Sequence, residues 1–187
     1  MEIQMRRPTR LDTLMEVAFV VAARSTCTRL RVGALAVHDG RILSMGYNGA
    51  AVGMQHCTHP PTEICGRSIH AEANAIVWAA RTGVMLKGCE FICTDSPCYY
   101  CASLMLNAGV SKLTFVREYR DTSGIELLLG GGVEVYNFVI GKKDTDDNDN
   151  YLDEIRGARL DEDEYTATPV ESKIPEGHEA DIHGGLV

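Results

Sequence analysis

The stretches His70-Ala71-Glu72 and Pro97-Cys98-Tyr99-Tyr100-Cys101 decide the fold of this 187-residue chain. Imidazole and thiolate groups are typical zinc ligands, and three such ligands leave the fourth tetrahedral position open for water, as in catalytic zinc sites. We therefore predict that His70, Cys98 and Cys101 bind a catalytic Zn²⁺. Glu72 lies too close to His70 along the chain to be a further ligand, so we predict that it carries protons beside that water.

Each half of this pattern opens a predicted helix. Small and apolar residues recur at helical spacing over residues 68–82, with Gly83 as the C-terminal stop, and again over residues 98–108. The positive end of a helix dipole favours an anionic hydroxide or carboxylate at this position. A solitary histidine or a redox-active Cys-x-x-Cys are the ordinary alternatives, but the combined pattern favours the zinc site.

The remaining periodicities predict an α/β domain. Further helices are expected at residues 10–24 and 123–129, and strands at residues 32–37, 41–47, 89–94, 113–116 and 133–138. His38-Asp39-Gly40 predicts a hairpin turn between the first two strands. This order predicts a three-layer α/β/α fold with a five-stranded mixed sheet, antiparallel at its first hairpin and covered by helices on both faces.

The charge distribution divides the chain in two. The net charge is −8, but residues 144–187 alone contain 14 acidic and 3 basic residues, which leaves residues 1–143 at +3. We predict that residues 1–143 form the zinc-dependent catalytic domain and that residues 144–187 form an acidic tail, disordered or loosely docked. The mildly basic domain suits a small phosphorylated substrate and lacks the dense Lys/Arg stripe of a nucleic-acid-binding surface.

The composition also predicts the compartment. No run of 18 apolar residues is present, and the N-terminal sequence lacks the pattern of a signal peptide. Seven cysteines in such a chain point to metal ligation and free thiols rather than disulfides. We expect a cytoplasmic protein (in the host cytoplasm if the source is viral) without a membrane partner.

The signature His-x-Glu followed by Pro-Cys-x-x-Cys resembles that of the zinc nucleobase deaminases. Zn²⁺ lowers the pKa of bound water toward neutrality. Glu72 is then expected to pass a proton to the ring nitrogen beside the amino-bearing carbon and later to the departing ammonia. The backbone N–H of Ala71 is expected to contact the edge of the pyrimidine.

Four longer stretches resemble the deoxycytidylate (dCMP) deaminases of the cytidine deaminase superfamily. They are ARSTCTRLRVGA at 23–34, GYNGA at 46–50, IHAEANAI at 69–76 and TDSPCYYCASLMLNAGV at 94–110, within a resemblance over about residues 10–138. The resemblance implies a cytidine deaminase-like fold and the hydrolysis of dCMP to dUMP and ammonia, which supplies dUMP for thymidylate synthesis. His-Ala-Glu alone also fits a deaminase of a base in tRNA or single-stranded nucleic acid, or of another free cytosine nucleotide.

The resemblance assigns substrate-binding residues as well. Asn48 would bind the sugar or base of the substrate, and Tyr119 matches an aromatic residue near the deoxyribose. Ser25 and Arg29 would bind the 5′-phosphate. Alternatively, Asn48 is only a turn residue, and Arg29 is only a solvated surface charge.

Three cysteines and a histidine form a second candidate metal site. Cys57-x-His59-x₅-Cys65 has ligand-like spacing, and the resemblance brings Cys27 near the same loop and implies a second, structural zinc there. His56 in place of His59, or a set of free thiols, are the alternatives.

The resemblance finally implies a homohexamer under allosteric control. In relatives dCTP, with Mg²⁺, activates and dTTP inhibits, so these nucleotides are the expected effectors. Binding of nucleic acid is not expected.

Overall fold

A six-stranded mixed sheet forms the centre of the computed structural model, which describes residues 7–139 and 166–171. The strands, including two that form a separate short ribbon, are β1 (Gly33–His38), β2 (Arg41–Tyr47), β3 (Gly49–Ala50), β4 (Ser68–Ile69), β5 (Glu90–Asp95), β6 (Lys112–Arg117), β7 (Glu134–Val139) and β8 (Thr166–Pro169). The helices are α1 (Arg10–Ala22), α2 (Ala71–Thr82), α3 (Tyr99–Asn107) and α4 (Ser123–Gly130). None of the helices in the described ranges is both long and apolar enough to cross a membrane.

The sheet has the strand order β2-β1-β5-β6-β7-β8. Strand β1 pairs antiparallel with both β2 and β5, whereas β5, β6 and β7 run parallel to one another. Parallel neighbours require crossover connections, and α3 and α4 supply them. The carboxyl ends of β5 and β6 therefore lie side by side, next to the beginning of α3.

Helices cover both faces of the sheet, which confirms the predicted three-layer α/β/α architecture. On one face, α1 buries Met15 and Phe19 against Leu35 of β1 and Ile92 of β5. On the other face, α2, α3 and α4 pack against a second apolar core that includes Phe91, Phe115 and other buried strand residues.

The sheet contains six strands, not the predicted five. The sixth strand, β8, pairs antiparallel with the edge of β7 and comes from the segment predicted to be an acidic tail. Its residues, Thr-Ala-Thr-Pro, show no alternation of apolar and polar side chains, so the local sequence does not predict a strand. Pairing with β7 defines the strand, and Val170, the residue after it, packs against the apolar core. The rest of the predicted tail, residues 144–165 and 172–187, lies outside the described residues.

The helix predicted from Ser68 begins three residues later. Ser68 and Ile69 pair with Ala50 and Gly49 in the β3–β4 ribbon instead. His70 has an extended backbone (φ −69°, ψ 155°) and is the N-cap of α2. The ribbon therefore fixes the point at which α2 starts, and with it the position of His70.

Close approach between β2 and α2 positions the first turn of the helix. A Cβ atom on Gly46 would overlap the carbonyl oxygen of Ala71, so the contact requires glycine. Ser44 Oγ donates to the carbonyl oxygen of Ala75 at 2.7 Å, and Asn74 Nδ2 donates to that of Tyr47 at 2.8 Å. These contacts place the beginning of α2 directly over the end of β2.

Candidate active site

The three predicted ligands of the catalytic zinc lie together where α2 and α3 begin. His70 is the N-cap of α2 and Cys98 the N-cap of α3, while Cys101 lies in the first turn of α3. His70 Nδ1 is 3.4 Å from Cys98 Sγ and 3.6 Å from Cys101 Sγ. All three candidate ligand atoms lie within 4.8 Å of one another.

This spacing fits a tetrahedral zinc ion. Zn–S bonds of about 2.3 Å and Zn–N bonds of about 2.0–2.1 Å separate sulfur and nitrogen by about 3.5 Å at a tetrahedral angle. The two observed nitrogen–sulfur distances, 3.4 and 3.6 Å, match this value. The fourth coordination position of the ion would remain for water, as in catalytic zinc sites.

Glu72 lies in the first turn of α2, two residues after His70. Its side chain lines a pocket that also includes His70 and Cys98. It is almost completely buried, with 3% of its surface exposed. Burial raises the pKa of Glu72 to about 7, and the negative charges of Cys98 and Asp95 act in the same direction. Its position beside the ligand cluster is the one expected for a proton carrier.

The contacts among the ligands favour an ionised sulfur. Hydrogen bonds from Cys101 and then from His70 lower the pKa of Cys98 to about 4, against the opposing effect of burial. The same hydrogen bond with Cys98, together with burial, raises the pKa of Cys101. The hydrogen bond to Cys98 raises the pKa of His70. The lowered pKa favours the thiolate of Cys98, the form of cysteine that binds metals.

Asn48 connects the loop after β2 to the beginning of α2. It is buried and lines the pocket. Its Oδ1 accepts a hydrogen bond from the Ala71 N–H at 2.9 Å, and its Nδ2 donates to the carbonyl oxygen of Leu30 at 3.1 Å. The N–H of Ala71, predicted to contact the substrate, thus donates to Asn48 in this structure.

A pocket of about 500 Å³ opens over the cluster. Of the predicted substrate-binding residues, Asn48, Arg29 and Tyr119 line it. Ser25 is not among the lining residues, because its hydroxyl belongs to a turn: Oγ donates to the carbonyl oxygen of Asn48 at 2.7 Å and accepts from the N–H of Cys27 at 3.2 Å. The structure therefore brings Asn48, Arg29 and Tyr119 to the pocket, but not Ser25.

Sequence reasoning missed one side of the pocket. Asp95 and Ser96 at the end of β5, and Arg117, Glu118 and Arg120 at and after the end of β6, all line it. The signal available in the sequence was positional, because ligands of α/β proteins bind at the carboxyl ends of parallel strands. This rule would have selected the polar residues that directly follow the strands predicted at residues 89–94 and 113–116 as candidates for the pocket.

The second candidate cluster also comes together. Candidate ligand atoms of Cys27, Cys57, His59 and Cys65 all lie within 4.8 Å of one another, with Cys57 Sγ 3.3 Å from Cys65 Sγ. Burial, followed by the hydrogen bond with Cys65, raises the pKa of Cys57 to about 11. Cys27 and Cys65 line the pocket as well, so the cluster borders the active site.

His59, and not His56, belongs to this cluster. Its Nδ1 lies 2.9 Å from the carbonyl oxygen of Pro60, which fixes the proton on Nδ1 and leaves the lone pair on Nε2. Nε2 is buried without a hydrogen-bond partner among the described residues. A buried acceptor nitrogen beside three sulfur atoms is a donor set that suits zinc.

Comparison with known proteins identifies relatives of this chain. A family model, the cytidine and deoxycytidylate deaminase zinc-binding region, matches residues 8–117. ComE operon protein 2 of Bacillus subtilis (strain 168) is 37% identical over 110 residues, or 57% of this chain and 58% of that protein. The deoxycytidylate deaminase of Mycobacterium phage D29 is 31% identical over 129 residues, or 61% of this chain and 99% of that protein.

A solved structure is similar as well. The dCMP deaminase from cyanophage S-TIM5, crystallised in complex with dCMP and dUMP, is 36% identical and superimposes with a TM-score of 0.65. The match covers 70% of this chain and 97% of that chain. The family model spans more than half of this chain, and the two phage enzymes are matched over nearly their whole length, which confirms the resemblance found in the sequence. The chain therefore belongs to the deoxycytidylate (dCMP) deaminase family of the cytidine deaminase superfamily.

Proposed function

We propose that this protein hydrolyses dCMP to dUMP and ammonia with a zinc ion held by His70, Cys98 and Cys101. The observation that carries the proposal is the buried carboxyl group of Glu72, which lines one pocket together with the candidate ligands His70 and Cys98, with Cys101 directly behind them in the same cluster. The dCMP and dUMP bound to the cyanophage enzyme support the choice of substrate. When bound, zinc would supply a water molecule of lowered pKa as the nucleophile.

Glu72 moves the protons of the proposed reaction. Its carboxylate takes a proton from the attacking water and donates it to the ring nitrogen beside the amino-bearing carbon, which makes that carbon electrophilic. The same carboxylate then takes the proton of the hydroxyl group that has added to the carbon and delivers it to the amino group, which leaves as ammonia. Water and dCMP are consumed and dUMP and ammonia are formed, so the reaction needs no other reactant.

The cations of the pocket suit the 5′-phosphate of a nucleotide. Arg117 is held by Asp95, with Nη2 2.7 Å from the carboxylate. Arg29 and Arg120 also line the pocket, and neither forms an ion pair within the part of the chain that the structure describes. Guanidinium groups without a carboxylate partner are well suited to bind phosphate.

A single assay tests the proposal. Ammonia release is measured with the purified full-length protein and four substrates at equal concentration: dCMP, deoxycytidine, dCTP and a single-stranded oligonucleotide containing deoxycytidine. We expect the highest kcat/KM with dCMP. Turnover of the oligonucleotide in preference to dCMP would instead indicate a nucleic-acid deaminase, and no ammonia from any substrate would refute the proposed activity.

Replacement of Arg29 by alanine is expected to reduce the preference for the nucleotide. A hydrogen bond to a charged group contributes about 1.5–3 kcal/mol, so kcat/KM for dCMP should fall by about 10- to 100-fold, with little change for deoxycytidine. Arg31→Ala is the matched control, because Arg31 is exposed and its side chain does not line the pocket. An unchanged ratio of dCMP to deoxycytidine turnover in Arg29→Ala would remove Arg29 from the phosphate site.

We also propose that Cys27, Cys57, His59 and Cys65 bind a second, structural zinc. We expect two zinc ions per chain in freshly purified protein and one in Cys57→Ser, measured by elemental analysis. The thermal unfolding midpoint of the variant should fall, because a ligand bound only to the folded state stabilises it. His56→Ala is the control and should retain both ions, since His56 is outside the cluster. One zinc per chain in the unmodified protein would contradict this site.

A further inference from the structure

A partly buried ion pair joins the ends of two parallel strands in the wall of the pocket. Asp95 ends β5 and Arg117 ends β6, and the two residues are register partners. Arg117 Nη2 lies 2.7 Å from Asp95 Oδ2, and Thr94 Oγ1 donates to the same oxygen at 2.7 Å. The Asp95 side chain is only 11% exposed, and these two partners supply hydrogen bonds to its carboxylate.

The pair, together with Thr94, also connects the strand ends to the beginning of β1 and to Arg31, two residues before it. Arg117 Nη2 donates a second hydrogen bond, at 3.3 Å, to the carbonyl oxygen of Arg31. Thr94 Oγ1 accepts one from the N–H of Gly33 at 3.2 Å. One carboxylate and one guanidinium group therefore hold three segments of the chain in a fixed arrangement.

The segment that follows Arg117 depends on this arrangement. The carbonyl oxygen of Arg117 accepts a hydrogen bond from the Ser96 N–H at 2.8 Å, and Ser96 Oγ accepts one from the Tyr119 N–H at 2.8 Å. Residues 118–120 form one side of the pocket, and Ser96 lies two residues before the candidate ligand Cys98. The position of Tyr119 relative to the candidate zinc site is thus set through the ends of β5 and β6.

We propose that Asp95 and Arg117 are positioning residues that hold the Glu118–Arg120 side of the pocket at the distance required for substrate binding. The proposal rests on the proposed deamination of dCMP for its kinetic test. Asp95 and Arg117 line the pocket themselves, but Oδ2 of Asp95 already accepts hydrogen bonds from Arg117 and Thr94. The proposed effect on the substrate therefore passes through residues 118–120. Displacement of a substrate-binding group by about 1 Å can cost up to about 10²-fold in rate or affinity.

The other end of the same two strands supplies a matched control. Glu90, at the start of β5, pairs with Lys112, at the start of β6, at 3.1 Å and accepts a hydrogen bond from Thr114 at 3.0 Å. The two residues are also register partners. This pair repeats the chemistry of Asp95 and Arg117 but lies away from the pocket over the candidate zinc site.

The test compares Asp95→Asn, Arg117→Lys and Glu90→Gln in the full-length protein. We expect Asp95→Asn and Arg117→Lys to raise KM for dCMP by about tenfold or more, with kcat changed less than threefold and zinc content unchanged. Lysine keeps the charge of Arg117 but lacks the fork that reaches Asp95 and Arg31 together. Glu90→Gln should leave KM and kcat unchanged. The double variant Asp95→Asn/Arg117→Lys should be no worse than either single variant, because the pair acts as a unit.

Hydrogen–deuterium exchange gives a readout that needs no substrate. Peptides covering residues 117–121 should exchange faster in Asp95→Asn than in the unmodified protein, and unchanged exchange there would overturn the proposal whichever substrate the enzyme uses. An equal rise of KM in Glu90→Gln would do the same, because it would indicate general loosening of the sheet. If Asp95→Asn fails to fold, Arg117→Lys carries the same comparison. Absence of dCMP turnover in the unmodified protein would refute the proposed function alone, and the exchange measurement would still decide the positioning role.

Discussion

Replacement of Glu72 by glutamine is expected to lower kcat for dCMP by about 10²- to 10⁴-fold, the range of general acid–base catalysis, while zinc remains bound. Glutamine has the shape of glutamate but cannot accept a proton and pass it on. The three candidate ligand atoms belong to other residues, so the metal site should persist. Ammonia release measures kcat, and elemental analysis of the same sample measures zinc.

The appropriate control for this variant is Glu126→Gln. Glu126 also lies in the first turn of a helix, α4, but it is exposed and does not line the pocket. Its replacement should leave kcat unchanged. Turnover close to normal in Glu72→Gln would exclude Glu72 as the proton carrier. Loss of both zinc and activity would show that Glu72 acts mainly in metal binding.

The proximity of the candidate zinc ligands could be predicted from the sequence because their arrangement is local. His70 and Glu72 are two positions apart, and Cys98 and Cys101 are three apart at the start of a helix. Each half is thus positioned by a single helix end. The tertiary fold has only to bring the two helix ends together. The α/β/α layers followed from periodicity in the same way.

Features that depend on long-range pairing could not be predicted. Strand β8 has no amphipathic pattern and exists through its pairing with β7. The β3–β4 ribbon joins residues 49–50 to residues 68–69 across an irregular loop, which is why the predicted helix began too early. The Asp95–Arg117 pair required the exact register of β5 and β6. In each case the partner, and not the local sequence, determines the structure.

Asn48 has a structural role in addition to the substrate-binding role predicted for it. The resemblance assigned it to the substrate, and the structure places it in the pocket. Its amide also accepts from Ala71 and donates to Leu30, and thereby joins the first residue of α2 to the segment before β1. The structural role uses the ability of an amide to donate and accept at once, the same property on which the predicted substrate-binding role rests.

Replacement of Cys101 by serine is expected to remove the catalytic zinc and to lower kcat/KM by more than about 100-fold, because loss of an outer-shell partner alone costs about 10- to 100-fold. Cys101 is 3% exposed, so no outside ligand can readily take its place. The zinc content should fall by one ion per chain. A chelator should lower the thermal unfolding midpoint less in this variant than in the unmodified protein, because one stabilising ion is already absent.

Cys89→Ala is the matched control for Cys101→Ser. Cys89 is another fully buried thiol, but it packs in the apolar core and belongs to neither candidate metal cluster. Its replacement should leave the zinc content and kcat/KM unchanged, at the cost of a small packing defect. Equal zinc loss in both variants would mean that a disturbed core, and not a missing ligand, releases the metal. Full zinc content in Cys101→Ser would require another residue as the third ligand. If the sulfur of Cys101 binds the metal directly, zinc is lost in Cys101→Ser and kept in Cys89→Ala.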